Sequence, residues 1–280
     1  MPSCIFCPNS GAKPVFTEFG IPYLKCENCG HLFSSHESVE HYDGYFDEPG
    51  NSDEAEAFWN LAHRKMYRSF ALRYMKGKSG KILDVGAGLG FFVKFAGEVE
   101  GWAASGLEIS PGGHKFAKEK LGLQNYFCGK LEEQPFEPKS FDIITMWDVI
   151  EHLKNPRPVL LKCRELLKDG GLLFLHTPNG KIQLVKAKVK KAFFGEKEGM
   201  RFLEAKDHLN LYKERTLRRV LEECGFDKTK FVHLPPIQAV AGKRWWPGLV
   251  LKNSWAFTAA VLSWISLGSI NMDNLFAEAR

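Results

Sequence analysis

From residue 81 onward, short apolar runs alternate with amphipathic stretches. "KILDVG" reads as a strand, "GFFVKFAGEVE" as a helix and "GWAASGLEI" as a second strand. "SPGGHKFAKEKLG" predicts a helix with Ser110 as N-cap and Pro111 at the first helical position, where a missing N–H costs nothing. "QNYFC" and "FDIITMW" follow as strands, "RPVLLKCRELLKDGG" as a helix ended by glycine, and "LLFLHT" as a strand. Strict alternation of strand and helix predicts an α/β fold, a Rossmann-like and mostly parallel sheet of seven strands with helices on both faces. Ligands of such sheets bind beyond the carboxyl ends of the strands. The loops after Val85, Leu107, Cys128 and Met146 therefore form one functional rim.

The first of these loops, in "KILDVGAGLG", spaces its glycines as Gly86-x-Gly88-x-Gly90. A dinucleotide fingerprint is G-x-G-x-x-G, its third glycine allowing close packing of helix on strand. Here Phe91 stands at that third position, and Asp84 places a carboxylate where a pyrophosphate would be repelled. An acidic group beside a glycine turn suits a cationic ligand without phosphate. Glu108 ends the second strand, where a carboxylate can accept both hydroxyls of a ribose. The expected ligand is a nucleoside that carries a positive amino group.

These features together resemble a class I S-adenosylmethionine-dependent methyltransferase. The motifs that carry the resemblance are "LDVGAGLG", "LEIS", "FDIITMWDVIEHL" and "LLKDGGLLFLHTPN", in the family's order over residues 81–233. The resemblance implies that Asp84 and Gly86 hold the methionine end of S-adenosylmethionine. It implies that Gly88 and Gly90 let the backbone approach and that Glu108 binds the ribose. Trp147 and Asp148 complete the cofactor set at the end of the fourth strand. Where the family often has Gly-Asp after the third strand, this chain has Gly129-Lys130, so the adenine is held either by backbone groups and Leu131 or differently.

Methyl transfer from a sulfonium is an in-line displacement that needs alignment, with proton removal added when the acceptor is a hydroxyl. In "WDVIEHL", Asp148, Glu151 and His152 stand at i, i+3 and i+4, so a helical turn would bring them onto one face. The stretch resembles the quinone O-methyltransferases, in which a carboxylate and a following Glu-His pair lie near a catalytic cation. A general base is the other reading of the cluster, and a histidine packed against the sheet is the plain structural one. His208, after the fifth strand and before a helix, is a second candidate facing the transfer site. The catalytic candidates are therefore His152, His208 and Glu151. No Asn-Pro-Pro-Tyr element follows the fourth strand, which disfavours methylation of adenine or amide nitrogen.

Two segments do not belong to the alternating pattern. "KIQLVKAKVKKAFFGEKEG" carries five lysines and no acid in its first eleven residues, with Ile182, Val185, Val189 and Phe193 at near-helical spacing. It reads either as a membrane-surface or anionic-substrate helix, or as a lid with a solvated lysine face. Further on, residues 253–270 run uncharged, yet six of the eighteen are polar, and a spanning helix needs about 20 mostly apolar residues. With Trp245, Trp246, Trp255 and Trp264 the segment suits a membrane boundary, or packing on the core or a partner subunit. "MDNLFAEAR" reads as a last strand antiparallel to "KFVHL", which makes the apolar segment an insertion.

Composition and the N-terminus add four points. A chain of 280 residues, 44% of them hydrophobic, can bury a sizeable core. A net charge of +5 is too weak to argue for nucleic acid without a located patch. "MPSCIFCPNS" lacks the basic and apolar pattern of a secretory signal, which predicts a cytoplasmic protein. Four of the seven cysteines, Cys4, Cys7, Cys26 and Cys29, give C-x2-C-x18-C-x2-C, the spacing of a structural zinc site with a closed S4 shell. A redox pair or an iron–sulfur role is the alternative. His31 and His36 read as ordinary surface histidines.

The expected organisation is a zinc ribbon at 1–36, a linker and helix at 37–76, the helix spanning about 53–75, and a methyltransferase domain at 77–280. Insertions are expected at 180–206 and 236–270. The N-terminal pattern resembles the subgroup of these enzymes that carries a zinc ribbon, often associated with glycan and small-molecule modification. The expected partner is a small-molecule, lipid-linked or glycan-linked acceptor, with peripheral membrane contact and methylation at oxygen. An RNA methyltransferase guided by the ribbon is one alternative; the acidic stretch "HESVEHYDGYFDEPGNSDEAEAF" speaks against it and the lysine run for it. A non-catalytic adaptor that binds S-adenosylmethionine is the other.

Overall fold

The computed structural model describes residues 3–36, 60–235, 237, 258 and 274–280. The expected linker, from residue 37 to the helix start at about 53, and nearly all of the apolar, Trp-rich insertion at 236–270 lie outside the described residues. So does the expected start, at 53–59, of the helix before the glycine turn.

The larger sheet contains β4 (Gly80–Val85), β5 (Trp102–Glu108), β6 (Tyr126–Cys128), β7 (Phe141–Trp147), β8 (Leu167–Pro178), β10 (Thr229–Val232) and β11 (Asn274–Ala279). Their order is β10-β11-β8-β7-β4-β5-β6. The pairings β8–β7, β7–β4, β4–β5 and β5–β6 are all parallel. β11 runs antiparallel to both β8 and β10, as the sequence of the last strand suggests. Leu172–Thr177 of β8 are buried without interruption, because a parallel strand is covered on both faces. Chain order reverses at β4, so the ends of β4, β5 and β7 open a crevice.

Helices α1 (Arg64–Tyr74) and α2 (Phe91–Gly97) cover one face of the sheet. Phe70, which is fully buried, meets Phe92, Trp147 and Phe174 at ring-centroid distances of 4.8–5.6 Å. α3 (Pro111–Glu119) joins β5 to β6, and the Ser110 hydroxyl accepts the Gly113 N–H at its start. α4 (Arg157–Leu166) and α6 (Glu214–Glu223) cover the opposite face, burying Leu160, Cys163, Leu217 and Val220 against Leu83, Ile144 and Leu173. The helix predicted to end at glycine stops earlier. Leu167 is already extended and pairs with Phe141, so Gly170 and Gly171 lie within β8.

The N-terminal region is not a separate bead. β1 (Ala12–Glu18), β2 (Ile21–Cys26) and β3 (Leu32–Ser34) form an antiparallel sheet whose fourth strand is β9 (Asn210–Leu211), from far along the chain. Leu32 pairs with Leu211 and Phe33 with Asn210. The basic helix α5 (Gly180–Phe194) packs on this sheet rather than on the larger one. Its Ala187 and Leu184 join Phe16, Tyr23, Leu32 and Leu211 in one apolar cluster. Among the described residues no helix is long and apolar enough to cross a membrane.

Candidate functional site

The glycine turn that follows β4 is built by backbone geometry. The N–H groups of Gly86 and Ala87 both donate to the Leu107 carbonyl, at 2.8 and 2.9 Å, which folds the turn back over β5. Gly86 has φ +70°, and a Cβ there would lie 2.5 Å from Val149 Cγ2. Gly90, with φ +85° at the start of α2, would meet Leu123 Cδ1 at 2.7 Å. No side chain fits either position without displacement.

Glu108 clasps this turn to the next one. Its Oε2 accepts the Gly88 N–H and its Oε1 the Ser110 N–H, both at 2.8 Å. Burial raises its pKa, and these backbone donors oppose the rise. Each oxygen keeps a second lone pair for a ligand hydroxyl. Gly129, with φ +117°, donates its N–H to the Glu108 carbonyl at 3.0 Å and closes the rim. Leu131 is buried in the core cluster, so only its backbone stands near that edge.

A cavity beside the turn is lined by Asp84, Gly86, Gly88, Trp147 and Asp148. Its roof is His63 and Tyr67 of the α1 region, neither of which has a sequence motif to reveal it. A larger open cleft of about 780 Å³, lined by Arg68, Leu72 and Lys78, lies at the opposite ends of the strands. It gathers no buried titratable group, so the chemistry belongs to the rim.

Asp84 is 3% exposed and accepts the Thr145 hydroxyl at 2.6 Å. Burial pushes its carboxyl up to about 8; Thr145 opposes the shift and the Glu108 charge adds to it. A carboxyl so placed ionises readily only when a cation arrives to pair with it.

The residues after β7 depart from the helical turn expected of them. Residues 148–153 form irregular turns, and Asp148 takes a left-handed φ of +54°. Its N–H donates to the His176 carbonyl at 3.0 Å, and its Oδ1 lies 3.1 Å from His176 Nδ1. Burial would raise the Asp148 pKa, but His176 first, then His63 and His208, outweigh it and hold the carboxylate below its usual range. Glu151 is fully buried and accepts the Thr177 hydroxyl at 2.9 Å. Burial, then the Asp148 charge, raises its carboxyl well above the usual range, which favours the protonated form.

His152 stays within reach of Glu151 but takes its own backbone partner. Its Nδ1 donates to the Asp207 carbonyl at 3.0 Å, which leaves Nε2 as the acceptor nitrogen. Its ring stands edge-on to His208, with centroids 4.9 Å apart. Burial, then His208, lowers His152 to about 4, and burial lowers His208 as well. Both shifts favour the neutral imidazole. Ligand atoms of Glu151, His152 and His208 lie within 4.8 Å of one another, so the set could also hold a cation. His176 was missed in the sequence because it sits inside an apolar strand, where periodicity marks only burial.

The four thiol groups of Cys4, Cys7, Cys26 and Cys29 also lie within 4.8 Å of one another, with Cys4 and Cys29 Sγ 3.5 Å apart. A ZnS4 tetrahedron with bonds of about 2.3 Å requires S–S separations of about 3.8 Å, which this cluster brackets. Burial raises the Cys4 thiol to about 12. At Cys26 the N–H groups of Cys29 and Asn28 outweigh burial and bring the thiol down to about 7. His31 is not a surface residue. It is fully buried, edge-on to Phe6, and donates through Nε2 to Asn210 Oδ1 at 2.8 Å. His36 is half-buried, and its N–H donates to the Ser34 hydroxyl at 3.1 Å.

The raised pKa of Asp84 has a measurable consequence. The unfolded chain ionises this group near pH 4 and the folded one near 8, so the folded state holds the extra proton between them. Its contribution to stability is complete below about pH 4 and is lost as the pH rises toward 8. Urea midpoints of the ligand-free protein should fall over this window, and Asp84→Asn should flatten the slope. An unchanged slope in Asp84→Asn refutes the assignment.

With this geometry described, comparison with known proteins is informative. Residues 58–230 match the family described as "Methyltransferase domain". Among curated relatives, the ubiquinone biosynthesis O-methyltransferase of Coxiella burnetii is 31% identical over 142 residues, covering 46% of this chain and 59% of that protein. The Klebsiella pneumoniae protein of the same name is 30% identical over 139 residues, covering 45% and 57%. The matched stretch thus spans less than two thirds of those relatives. Among solved structures, Haemonchus contortus phosphoethanolamine N-methyltransferase 2 superposes with a TM-score of 0.56 at 16% identity, covering 89% of this chain and 62% of that one. That likeness concerns the fold. The family match covers more than half of the chain and contains the glycine turn, Glu108 and the Asp148–His152 segment, and the chain belongs to the methyltransferase-domain family.

Proposed function

We propose that this protein transfers a methyl group from S-adenosylmethionine to a hydroxyl oxygen of a small-molecule or lipid-linked acceptor. The observation that carries this reading is the pair of buried imidazoles, His152 and His208, whose rings meet edge-on and of which His208 lines a small cavity. A sulfonium methyl needs only alignment, whereas a hydroxyl acceptor must also lose its proton. A neutral imidazole can take it, and an amine acceptor with a free lone pair would need no such group. The relatives' names, which specify O-methylation in ubiquinone biosynthesis, favour the same choice.

In this reading Asp84 and Gly86 receive the methionine end of the cofactor, with Asp84 ionising against its ammonium group. Gly88 and Gly90 admit the backbone of the turn, and Glu108 accepts the ribose hydroxyls. The adenine lies against the backbone at Gly129 and Leu131, and Trp147 and Asp148 floor the cavity. The cofactor supplies the electrophilic methyl. Glu151, His152 and His208 would hold a divalent cation if one binds, and it would supply charge to stabilise an acceptor oxyanion.

Purified protein with radiolabelled S-adenosylmethionine and a crude cell extract tests the assignment. We expect label in the lipid or soluble fraction, and a loss of 100-fold or more in His208→Ala, with S-adenosylhomocysteine affinity unchanged by calorimetry. Label in RNA supports a ribbon-guided RNA enzyme instead. Cofactor binding with no label in any fraction supports the non-catalytic adaptor.

The cysteine cluster is read as a structural zinc site. Purified protein should contain one zinc per chain by plasma emission, and chelation should lower the thermal midpoint by about 2–4 °C per kcal/mol lost. Iron, or no metal with retained stability, would refute this.

Peripheral membrane contact rests on α5. Val185, Val189 and Phe193 are 57%, 51% and 81% exposed in one stripe. At 100° per residue, Lys181 and Lys188 flank it on one side and Lys186 and Lys190 on the other. An apolar stripe between lysines complements an anionic lipid surface. The protein should co-sediment with vesicles containing phosphatidylglycerol, and Phe193→Glu should abolish this. Equal binding to phosphatidylcholine vesicles, or none to either, would count against it.

A further inference from the structure

The segment 202–211 bears His208 and lines a cavity of about 140 Å³ together with Pro178 and Gln183. It contains no regular structure before β9. Its shape is set from outside, by three polar side chains of the N-terminal sheet. Glu18, only 4% exposed, accepts the Phe202 N–H through Oε1 at 2.8 Å. Its Oε2 accepts the Leu203 and Ala205 N–H groups at 3.2 and 2.9 Å. Tyr23 is fully buried, and its hydroxyl donates toward the Leu203 and His208 carbonyls, at 2.9 and 2.7 Å. Ser34 donates its hydroxyl to the Ala205 carbonyl at 2.5 Å, and its N–H to Leu209 at 3.0 Å.

Within this clamp Glu204 adopts a left-handed φ of +59°, an unfavourable conformation for a residue with a side chain. Its carbonyl accepts the Asp207 and His208 N–H groups, at 2.9 and 2.8 Å, which starts the turn that presents His208. Strain of this kind persists only where the surroundings over-determine it, and it gathers at functional sites. Buried carboxylate, phenol and hydroxyl groups directed at one loop's backbone are more than docking requires, since β3–β9 pairing already joins the two sheets.

We propose that Glu18, Tyr23 and Ser34 are positioning residues for methyl transfer: they set segment 202–211 and thereby hold His208 against His152. The N-terminal sheet then forms the outer wall of the acceptor site rather than a guide for a separate target. This rests on the reading of His208 as an acceptor-side residue.

Tyr23→Phe tests it, because the ring stays in its apolar cluster and only the hydroxyl is lost. Hydrogen exchange of peptides covering 202–210 should quicken by tenfold or more, while β4, β5 and β7 stay protected. Transfer of label to the accepting extract fraction should fall tenfold or more, with S-adenosylhomocysteine affinity within twofold. In a His208→Ala background, Tyr23→Phe should cause no further loss, since coupled residues are non-additive. Glu18→Gln, which keeps the shape and weakens the acceptor, should act in the same direction. Unchanged exchange, unchanged transfer, or an equal loss in the His208→Ala background overturns the proposal. If the unsubstituted protein labels no fraction, the proposed function has failed. Exchange at 202–210 and the His208 ring resonances, which Tyr23→Phe should shift, still decide the positioning role.

Discussion

The rim depends on one constraint: ionisable groups withdrawn from water must be satisfied by the fold or remain neutral. Asp84, Glu108, Glu151 and His176 are all buried at or beyond the carboxyl ends of neighbouring strands. An unpaired charge there would cost several kcal/mol. The fold answers differently at each. Glu108 is given two backbone N–H groups, Asp84 and Glu151 each a threonine hydroxyl, and Asp148 the company of histidines. The result is a rim where ionised and neutral carboxyls stand side by side.

That arrangement separates two chemistries. The Asp84–Glu108 side presents two buried carboxyl groups beside the glycine turn. The His152–His208 side offers neutral nitrogen acceptors. Asp148 stands between them, held in a left-handed conformation by the His176 carbonyl and side chain. The irregular turn there sets His152 against the Asp207 carbonyl while keeping it near Glu151 and His208.

The N-terminal sheet is part of the same system. Lys213 and Arg215, at the start of α6, donate to the Gly30 and Cys29 carbonyls, and Arg157 and Arg219 lie over the Phe6 ring. His31 reaches Asn210, whose N–H donates to the Glu151 carbonyl at 2.9 Å. A continuous path of hydrogen bonds therefore joins the cysteine knuckles to the Glu151 backbone. Order around the cysteine cluster and order around Glu151 are physically linked.

Much of this was legible in the sequence. The alternation of apolar runs determined the parallel sheet, because period and burial are local consequences of residue type. The glycine turn and the two Cys-x2-Cys pairs were legible for a similar reason, since each is a short local pattern in the chain; that the two cysteine pairs meet is tertiary. Tertiary structure decided the rest. Tyr23 and Glu18 belong to no motif, His31 read as a surface histidine, and His176 lies within an apolar strand. Their roles arise from pairings with residues remote in the chain, such as Tyr23 with His208 and His31 with Asn210, and no local pattern encodes which distant backbone group a buried polar side chain will meet.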